Sequence, residues 1–380
     1  MRVAVVSEFY PRARDPVLGV WAHRQAIAAR DAGADVKVLV LHRRVPGRAE
    51  PKLSTLWQNY RQPRRTELDG IDIEYVPYWS PPRERSYGTW ARYAGPPLTK
   101  TIRRWNKYWP IDLVHAHNAI PAADALGVWG RDRKAIGDGG VPPVPLVVSV
   151  HGGDVYFTAK HFGEERIRAV FDAAKLVLAN SAGVFDRAHE LGAGYGRVVH
   201  LGTDIPAPEP EHEPNTLVTV AHLDPRKHHE DVIRALPQLP AHRYLIIGDG
   251  PERANLEAAA RDAGVADRVA FAGQLAPDAA LERARRCSTF VMPSTDEAFG
   301  VAYIEAMAAG LPAIGRRGEA GPEEIAALGP GMHLIGNAND LPMAIRTATN
   351  GAAARATAAE HFSWEACGRA TVEAYEDALR

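Results

Sequence analysis

Short apolar runs alternate with segments of helical periodicity along most of the chain, and this alternation constrains the fold more than any other feature. The runs are rich in Val, Ile and Leu and have the length of strands. Continuous apolar strands of this kind are typical of parallel sheets that helices cover on both faces. In the first half the sequence predicts a helix over residues 22–32 and strands over residues 2–7, 35–41, 71–76, 112–116, 146–151, 176–180 and 197–201.

A proline-rich segment, residues 206–214, interrupts the alternation. It holds four prolines in nine residues, so neither a helix nor a central strand can continue through it. The alternation then restarts, with predicted strands over residues 216–221, 243–248, 268–272, 289–293, 312–315 and 332–335, and helices over 230–236, 252–263, 278–286, 300–309, 341–349, 352–361 and 364–379. We therefore expect two doubly wound Rossmann-like α/β domains that face a cleft. The predicted division is a first domain over 1–205, a linker over 206–215, a second domain over 216–361 and a closing segment over 362–380.

The composition excludes several classes of protein. A hydrophobic fraction of 46% and a charged fraction of 24% are ordinary for a globular chain. No run approaches the roughly 20 apolar residues of a membrane-spanning helix, and the N-terminus lacks the layout of a signal peptide. The two cysteines, Cys287 and Cys367, cannot form a disulfide framework or a cysteine-rich metal site. We expect a cytoplasmic protein.

The two halves of the chain carry opposite charge. Residues 1–205 contain 29 Lys and Arg against 21 Asp and Glu, whereas the remainder contains 16 against 25. An anionic partner of the first half would explain this asymmetry. Two solvated surfaces of opposite sign, which help the domains to meet, would explain it equally well.

Two glutamates in the second half are candidate ligand-binding residues. Glu297 follows a predicted strand and precedes a predicted helix, whose free N–H groups favour anions. Glu305 lies little more than one turn inside that helix. Carboxylates placed in this way could bind two sets of hydroxyl groups on one ligand, although solvated surface acids would show the same spacing.

Two further loops of the second half follow strands. Arg226 and Lys227 form a basic loop of the kind that suits phosphate, and an ordinary exposed lysine is the alternative. Gly248 opens a Gly-Asp-Gly-Pro turn, which could approach a ligand or simply connect a strand to a helix.

The first half offers two comparable loops. His151-Gly-Gly-Asp154 ends a predicted strand, where the glycines allow close approach by a ligand, and a capping role for the His and Asp is the alternative. Gly19 lies in the loop after the first strand, the position at which doubly wound folds take phosphates. The full Gly-x-Gly-x-x-Gly pattern is absent there, so a nicotinamide or flavin cofactor is not indicated.

Taken together, these motifs resemble the retaining glycosyltransferases of family four, group 1, which have the GT-B fold. The resemblance rests on the order and spacing of the Gly19 loop, Asp112-Leu-Val-His-Ala-His117, His151-Gly-Gly-Asp, the Lys227 stretch, Gly248-Asp-Gly-Pro, Glu297-x7-Glu305 and Phe362-Ser-Trp364. It covers most of the chain. The sequence from Gly19 to Gln25 is nearest to members that build polysaccharides and glycoconjugates.

The resemblance implies a nucleotide sugar held mainly by the second domain. Glu305 would bind the ribose hydroxyls, Glu297 the donor sugar, and Lys227 the diphosphate. His151 would approach the reacting centre, and the last helix would cross back to the first domain. The full set of implied donor-binding residues is Gly19, Asp154, His222, Arg226, Lys227, Gly248, Gly273, Leu275, Glu297, Phe299, Gly300, Val301 and Glu305, and the implied catalytic residues are His151, Glu297 and Lys227.

The chain departs from the family at three positions. His222, five residues before Lys227, stands where the family usually has an arginine. His228, directly after Lys227, stands where the family usually has a glycine. Val20 replaces the second glycine of the pair that usually begins with Gly19. Arg226, or His222 when protonated, would then have to supply the second cation for the diphosphate.

The mechanism that the resemblance implies needs neither a protein nucleophile nor a metal. Attack would occur on the face from which the diphosphate leaves, with the leaving phosphate taking the acceptor proton. The sequence contains no Asp-x-Asp pair, the usual metal-binding motif of the other large glycosyltransferase fold. We expect no cofactor, with the nucleotide sugar acting as a substrate.

Residues 52–109 are the candidate acceptor region. They hold five of the eight tryptophans and eleven basic residues against five acidic ones. An anionic membrane surface with a lipid-linked acceptor, a pocket in which sugars stack, and an ordinary basic surface remain open. The candidate acceptor residues are His117, Trp79 and Trp90.

The sequence thus favours a hexosyltransferase that uses a nucleotide sugar, with UDP preferred because it is common in the family. A nonhydrolysing sugar-nucleotide epimerase and a sensor that binds a nucleotide sugar without transferring it are the alternatives. No nucleic-acid recognition motif is present.

Overall fold

A computed structural model describes residues 1–13, 15–44, 61–81, 89–126 and 144–380. The chain forms two compact units. The first comprises Met1–Gly202 and Cys367–Arg380, and the second comprises Thr203–Ala366.

The first unit contains an eight-stranded sheet in the order β3-β4-β2-β1-β5-β6-β7-β8. All neighbouring strands are parallel except β3, which runs antiparallel to β4. The strands are β1 Arg2–Ser7, β2 Asp35–Arg43, β3 Arg65–Leu68, β4 Ile71–Tyr78, β5 Leu113–His117, β6 Leu146–Val150, β7 Leu176–Ala179 and β8 Gly196–Val198. Helices cover the sheet: α1 Val20–Asp31, α2 Ala91–Tyr108, α3 Ala159–Phe162, α4 Glu164–Ala173 and α5 Ala182–Glu190.

Strand β3 is the element of this sheet that the hydrophobic pattern did not predict. Its residues are mostly exposed and polar, because it lies at the edge of the sheet and buries little. It is joined to β4 through Asp69 and Gly70, both with positive φ. An Asp-Gly pair of this kind is a strong hairpin signal.

The second unit contains a six-stranded parallel sheet in the order β11-β10-β9-β12-β13-β14. The strands are β9 Thr216–Val220, β10 Arg243–Ile247, β11 Val269–Gly273, β12 Thr289–Val291, β13 Ala313–Arg316 and β14 Met332–Ile335. The helices are α6 His229–Ala235, α7 Arg253–Asp262, α8 Pro277–Arg285, α9 Val301–Ala308, α10 Ala320–Leu328, α11 Leu341–Thr347 and α12 Gly351–His361. Leu217 and Val218 belong to different buried clusters, because successive residues of a strand face opposite sides of the sheet.

The last helix, α13 (Trp364–Leu379), belongs from Cys367 onward to the first unit. Gly368 packs so closely against α1 that a Cβ atom there would lie 2.2 Å from the carbonyl oxygen of Ala28. Thr371 accepts a hydrogen bond from the Gln25 amide at 3.1 Å. Helix α13 is therefore part of the core of that unit.

Each sheet has one point at which the strand order reverses. In the first unit the chain proceeds outward from β1 to β2 and later returns to β5 on the other side of β1. In the second unit β9 leads to β10 and β11, and β12 returns to the other side of β9. Ligands of doubly wound sheets bind beyond the carboxyl ends of the two strands at such a point. The loops after β1, β5, β9 and β12 are therefore the places to look for a site.

The described ranges hold neither a candidate membrane span nor a candidate metal site. None of the helices there combines the length and the hydropathy needed to cross a bilayer. No group of three or more His, Cys, Asp or Glu side chains in the same ranges is arranged to hold a metal ion.

Candidate active site

Lys227 and Glu297 meet at the reversal point of the second sheet. Lys227 ends a short 3-10 turn after β9, and Glu297 lies in the loop after the neighbouring strand β12. The lysine Nζ is 2.6 Å from Glu297 Oε2, and both side chains are only 13% exposed. The Ser294 hydroxyl donates to the same carboxylate oxygen at 3.1 Å. The sequence-predicted cation and carboxylate are thus brought together as an ion pair.

The loop that carries Glu297 is tied to the loop that carries Lys227. The backbone N–H of Thr295 donates to the carbonyl oxygen of Arg226 at 2.9 Å. The Arg226 guanidinium donates in return to the carbonyl oxygens of Thr295 and Asp296 at 3.3 and 3.4 Å. Arg226 therefore fixes the position of Glu297 in this structure, whereas its predicted contact with a diphosphate stays a prediction.

Glu319 supports Glu297 from the loop after β13. Its carboxylate accepts a hydrogen bond from the backbone N–H of Glu297 at 3.0 Å. Neither Glu319 nor Ser294 was singled out in the sequence. Glu319 lies 22 residues from Glu297 in the chain, in the loop after another strand, so no local motif marks its contribution. Ser294 lies three residues before Glu297 in the same loop.

The two histidines that depart from the family pattern differ in setting. His222 is exposed, and its predicted role in phosphate binding stays a prediction. His228 has a φ of 52°, in the left-handed region that favours glycine. Its Nδ1 lies 3.2 Å from the carboxylate of Asp231 on helix α6.

Gly300 begins helix α9 with a φ of 85°. A Cβ atom at this position would lie 2.5 Å from the ring of Tyr303. Phe299 is 3% exposed and packs on Phe362, so its side chain belongs to the core, and its predicted backbone contact with the donor stays a prediction. Val301 is 36% exposed at the first helical position. A helix N-terminus with free N–H groups therefore lies next to the ion pair.

Glu305 lies in the second turn of α9. Burial raises the pKa of this carboxyl to about 7, which Arg285 opposes and Asp204 reinforces. The structure therefore holds Glu305 close to the midpoint of its titration at neutral pH.

Gly248, directly after β10, lies beside Gly273, the last residue of β11. Gly248 donates its N–H to the carbonyl oxygen of Gly273 at 2.9 Å. A Cβ at Gly248 would lie 1.9 Å from the carbonyl oxygen of Ala221, so glycine is required by packing. At Gly273 nothing lies within 4 Å of such an atom. Leu275 is half-buried against the core. The predicted contact of Gly273 and Leu275 with a nucleotide base stays a prediction.

Gly19, Trp21, His117 and His151 meet at the reversal point of the first sheet. Gly19 begins α1 with a φ of 66°, and a Cβ there would collide with the Phe9 carbonyl. The ring centroid of Trp21 lies 4.2 Å from that of His151 and 5.4 Å from that of His117. The side chains that follow β1, β5 and β6 thus form one cluster. Contact between Gly19 and a phosphate stays a prediction.

Asp154 holds the loops after β5 and β6 together. Its carboxylate accepts hydrogen bonds from the Asn118 amide at 2.9 Å, the Ala119 N–H at 3.1 Å and the His151 N–H at 3.0 Å. The side chain is only 2% exposed, and burial raises its pKa to about 6 despite these donors. The prediction that Asp154 binds the donor is corrected, because the carboxylate is enclosed and positions His151 and Asn118 instead.

The three histidines of the cluster are neutral near pH 7. Burial lowers the pKa of His115 to about 3 and that of His151 to about 4, and it holds the pKa of His117 well below its usual range. His115 is hydrogen-bonded to the hydroxyls of Tyr375 and Ser149, both at 2.7 Å. His115 is therefore structural, whereas neither ring nitrogen of His117 has a hydrogen-bond partner among the described residues.

Comparison with known families accounts for both units. The family model described as "Glycosyl transferase 4-like domain" matches residues 18–202, and "Glycosyl transferases group 1" matches residues 203–360. The chain belongs to the group 1 glycosyltransferases. Each of its two units is an α/β unit with a mainly parallel sheet. These are the units of the GT-B fold, as the sequence predicted.

Individual relatives and solved structures resemble this glycosyltransferase along nearly its whole length. A glycogen synthase from Mycobacterium tuberculosis is 26% identical, and the alignment covers 100% of this chain and 95% of that protein. Sucrose-phosphate synthase from Thermosynechococcus elongatus has a TM-score of 0.67 at 20% identity, covering 99% of this chain and 98% of that one. Anabaena Alr3699/HepE, solved with UDP and glucose, has a TM-score of 0.63 at 20% identity, covering 99% of both chains.

The tryptophans of residues 52–109 of the glycosyltransferase lie in different environments. Trp57 falls outside the described residues. Trp90 is 1% exposed beneath Arg43, which corrects the prediction that it contacts an acceptor. Trp79 is 51% exposed, and its predicted role stays open.

The remaining two tryptophans of this region line a groove of about 620 Å³. The indole N–H of Trp105 donates to Glu74 at 2.9 Å, and that of Trp109 donates to Asp35 at 2.7 Å. Arg65 and Arg104 both pair with Glu74. Asp72 and Glu74 thus offset most of the charge of the Lys and Arg side chains that line the groove.

Proposed function

We propose that this glycosyltransferase is a retaining hexosyltransferase that moves a sugar from a nucleotide sugar, with UDP as the preferred nucleotide, to an acceptor hydroxyl. The observation that carries the proposal is the Lys227–Glu297 pair at the reversal point of the second sheet, beside the N-terminus of α9. The pair offers one group for a diphosphate and one for sugar hydroxyls.

Charge explains what Lys227 would do. Cleavage of the bond between sugar and phosphate leaves negative charge on the diphosphate, and a preorganised cation stabilises that charge in a site sheltered from water. Lys227 is 13% exposed and held in place by Glu297. Free N–H groups at the start of α9 would add to this stabilisation.

Glu297 would change partner when the donor binds. In the structure its carboxylate is occupied by Lys227 and Ser294. A diphosphate that attracts Lys227 leaves Glu297 free to accept hydrogen bonds from the donor sugar. Glu297 is thereby a group that positions the sugar and needs no covalent step.

We propose that the configuration of the sugar is retained without a covalent intermediate on the protein. The carboxylate closest to it in sequence, Asp154, is enclosed and accepts three hydrogen bonds, so it is unsuited to attack a sugar. A neutral His151 can instead orient hydroxyl groups while the departing phosphate takes the acceptor proton. We propose that the reaction needs no metal ion, because Lys227 and the helix N-terminus meet the charge of the leaving group. Retained activity in EDTA would support this, and loss restored by Mg²⁺ or Mn²⁺ would contradict it.

The preference for UDP rests on its frequency in the family, and Anabaena Alr3699/HepE, which shares the fold, was solved with UDP and glucose. That likeness, at 20% identity, establishes the fold alone. The acceptor is proposed to belong to polysaccharide, glycolipid or glycosylated-metabolite synthesis.

A peripheral membrane contact is proposed on the basis of helix α2. Its sequence contains five Lys or Arg and neither Asp nor Glu. The side chains of Tyr93 and Tyr108 are 39% and 85% exposed on the same helix. Cations with interfacial aromatics suit the surface of an anionic bilayer.

The test is a donor screen without acceptor. The protein is mixed with UDP-, GDP- and ADP-sugars, and both thermal stabilisation and slow release of nucleoside diphosphate are followed. Stabilisation and release with UDP-sugars are expected. Stabilisation by UDP without release, even after a broad set of acceptors is added, would favour the sensor. No response to any nucleotide would contradict the proposed site.

A further inference from the structure

The groove beside helix α2 lies away from the sheet edge that carries the histidine cluster. Asp72 and Glu74, in the amino half of β4, line this groove. Asp72 precedes Tyr78, the last residue of β4, by six residues, which is about 20 Å along an extended strand. The cluster of His117 and His151 lies instead at the carboxyl ends of β5 and β6. The groove is therefore a separate feature of the first unit.

The sheet presents charged side chains to this groove, whereas the faces of a doubly wound sheet are usually apolar. Lys37 of β2 is in register with Asp72, and Arg65 of β3 is in register with Glu74. The Lys37 Nζ lies 2.8 Å from Asp72 Oδ2, and Glu74 is only 8% exposed. Packing of a helix on the sheet would favour apolar residues at these positions, so the charged set indicates a further role.

Two tryptophans form adjoining walls of the groove. The ring centroids of Trp105 and Trp109 are 6.0 Å apart, and the ring planes are inclined at 86°. Their indole N–H groups donate to the carboxylates of Glu74 and Asp35, which fixes the orientation of both rings. Tyr108 lines the same groove and is 85% exposed. Aromatic surfaces held in fixed orientations suit the C–H faces of sugar rings.

The polar groups of the groove combine donors with acceptors. The Arg65 and Arg104 side chains both pair with Glu74 and are 68% and 45% exposed, so the five N–H groups of each guanidinium are not all used by that carboxylate. The carboxylate of Asp72 is an exposed acceptor. A hydroxyl group both donates and accepts, so it can bond with a guanidinium and a carboxylate at once.

The charges of the groove favour a neutral ligand over an anion. Each of the three cations that line it already faces a carboxylate: Lys37 faces Asp72, and Arg65 and Arg104 face Glu74. An anion would be attracted by these cations and repelled by their partners at nearly the same distance. A neutral hydroxyl-rich molecule avoids that repulsion.

We propose that this groove is a second carbohydrate site, which binds a neutral oligosaccharide by stacking its rings on Trp105, Tyr108 and Trp109. The groove volume of about 620 Å³ lies within the range of about 300–1,000 Å³ that is typical of small-molecule sites. In a transferase that extends a glycan, such a site holds the polymer and raises its local concentration at the reacting centre. The inference goes beyond the proposed function and requires neither its donor nor its mechanism.

The experiment is titration calorimetry with lipid-free oligosaccharides. Maltopentaose, cellopentaose, xylopentaose and α-1,6-linked mannopentaose are the neutral probes, and pentagalacturonic acid is the anionic one. We expect at least one neutral probe to bind with a Kd below about 1 mM. Trp109→Ala should weaken this binding by about tenfold, and Tyr108→Ala by about fivefold, because each removes an aromatic surface.

Two groove variants and a matched control keep the test decisive. Trp109 bonds with the Asp35 carboxylate, so its loss could also affect folding, whereas Tyr108 is exposed and can be removed without disturbing the core. Tyr195→Ala removes another exposed tyrosine of the first unit, one that does not line the groove, and should leave the Kd unchanged. Unfolding curves of all three variants identify any loss of folded protein.

Several results would overturn the carbohydrate site. They are the absence of binding by every neutral probe, tighter binding of pentagalacturonic acid than of every neutral probe, and an unchanged Kd in Tyr108→Ala or in folded Trp109→Ala. If no probe binds and Tyr108→Ala loses binding to anionic vesicles, the groove is part of a membrane contact instead.

The proposed function is tested separately by diphosphate release. Absence of release by the wild type with every nucleotide sugar contradicts the transferase and leaves the titration as the test of the groove. Normal release combined with any of the overturning results removes the carbohydrate site alone.

Discussion

The ammonium nitrogen of Lys227 lies 2.6 Å from a carboxylate oxygen of Glu297, and this contact joins the loops after two adjacent strands, β9 and β12. Under the proposed function, a diphosphate would compete with Glu297 for the lysine, so the strength of donor binding would depend on both residues.

Replacement of Lys227 tests this arrangement. Lys227→Ala should lower kcat/KM for the donor by about 30-fold or more, equivalent to about 2 kcal/mol, because the leaving diphosphate loses its cation. Lys175→Ala, which removes an exposed lysine from the first unit, is the control. Steady-state kinetics of both variants would decide, and equal values for the two would refute the assignment of Lys227.

Glu305 predicts a pH dependence of nucleotide binding. Burial raises its pKa to about 7, so in the free protein the carboxyl is protonated below that pH and ionised above it. A carboxylate accepts hydrogen bonds from ribose hydroxyls more strongly than the neutral acid does. Affinity for the nucleoside diphosphate should therefore increase as the pH rises from about 6 to about 8.

The variant Glu305→Gln isolates this effect. A neutral amide has the shape of the protonated acid, so the variant should bind more weakly at pH 8 and lose the increase with pH. Titration calorimetry at several pH values measures both. A wild-type affinity that stays constant across this range, or a variant with the same increase, would rule out Glu305 as the titrating group.

Parts of the site were predictable because the relevant signals are local. Lys227, Glu297 and His151 each follow an apolar run closely, and parallel strands place such residues at one edge of a sheet. The hairpin strand β3 was missed because an exposed edge strand lacks an apolar pattern.

Other parts of the site depend on contacts between distant segments, which no local pattern reveals. Glu319 gains significance only from its bond to the Glu297 backbone. Trp90 was misassigned because residue type and neighbouring charge do not distinguish a buried indole from an exposed one. Asp154 was misassigned because the donors that enclose its carboxylate include Asn118 and Ala119, which are distant in the chain.

Asp154 predicts a structural effect. Asp154→Asn places amide hydrogens or a weaker acceptor opposite three N–H donors, so the free energy of unfolding should fall by about 2 kcal/mol. Chemical denaturation measures this change. Asp172→Asn on the exposed side of α4 should have little effect, and equal stability of the two variants would contradict the role given to Asp154.

Gly248 and Gly273 form a matched pair, since both have positive φ. A Cβ at Gly248 would lie 1.9 Å from the Ala221 carbonyl oxygen. A Cβ at Gly273 would have no neighbouring atom within 4 Å. Gly248→Ala should therefore destabilise the fold by about 2 kcal/mol or more, through steric overlap and backbone strain. Gly273→Ala should cost only the backbone strain, about 1 kcal/mol. Thermal unfolding of both proteins provides the comparison, and a larger loss in Gly273→Ala would contradict the packing argument.

Helix α2 predicts salt-sensitive binding to anionic membranes. Vesicles containing phosphatidylglycerol should pellet the protein at low ionic strength and release it at high ionic strength, because exposed charges are screened over about 10 Å at 0.1 M salt. Lys100→Gln combined with Lys107→Gln removes two exposed cations of α2 and should reduce the pelleted fraction.

Neutral phosphatidylcholine vesicles are the control for nonspecific sedimentation. If the wild type stays in the supernatant with anionic vesicles at low salt, the proposed membrane contact is wrong, and α2 is an ordinary solvated surface.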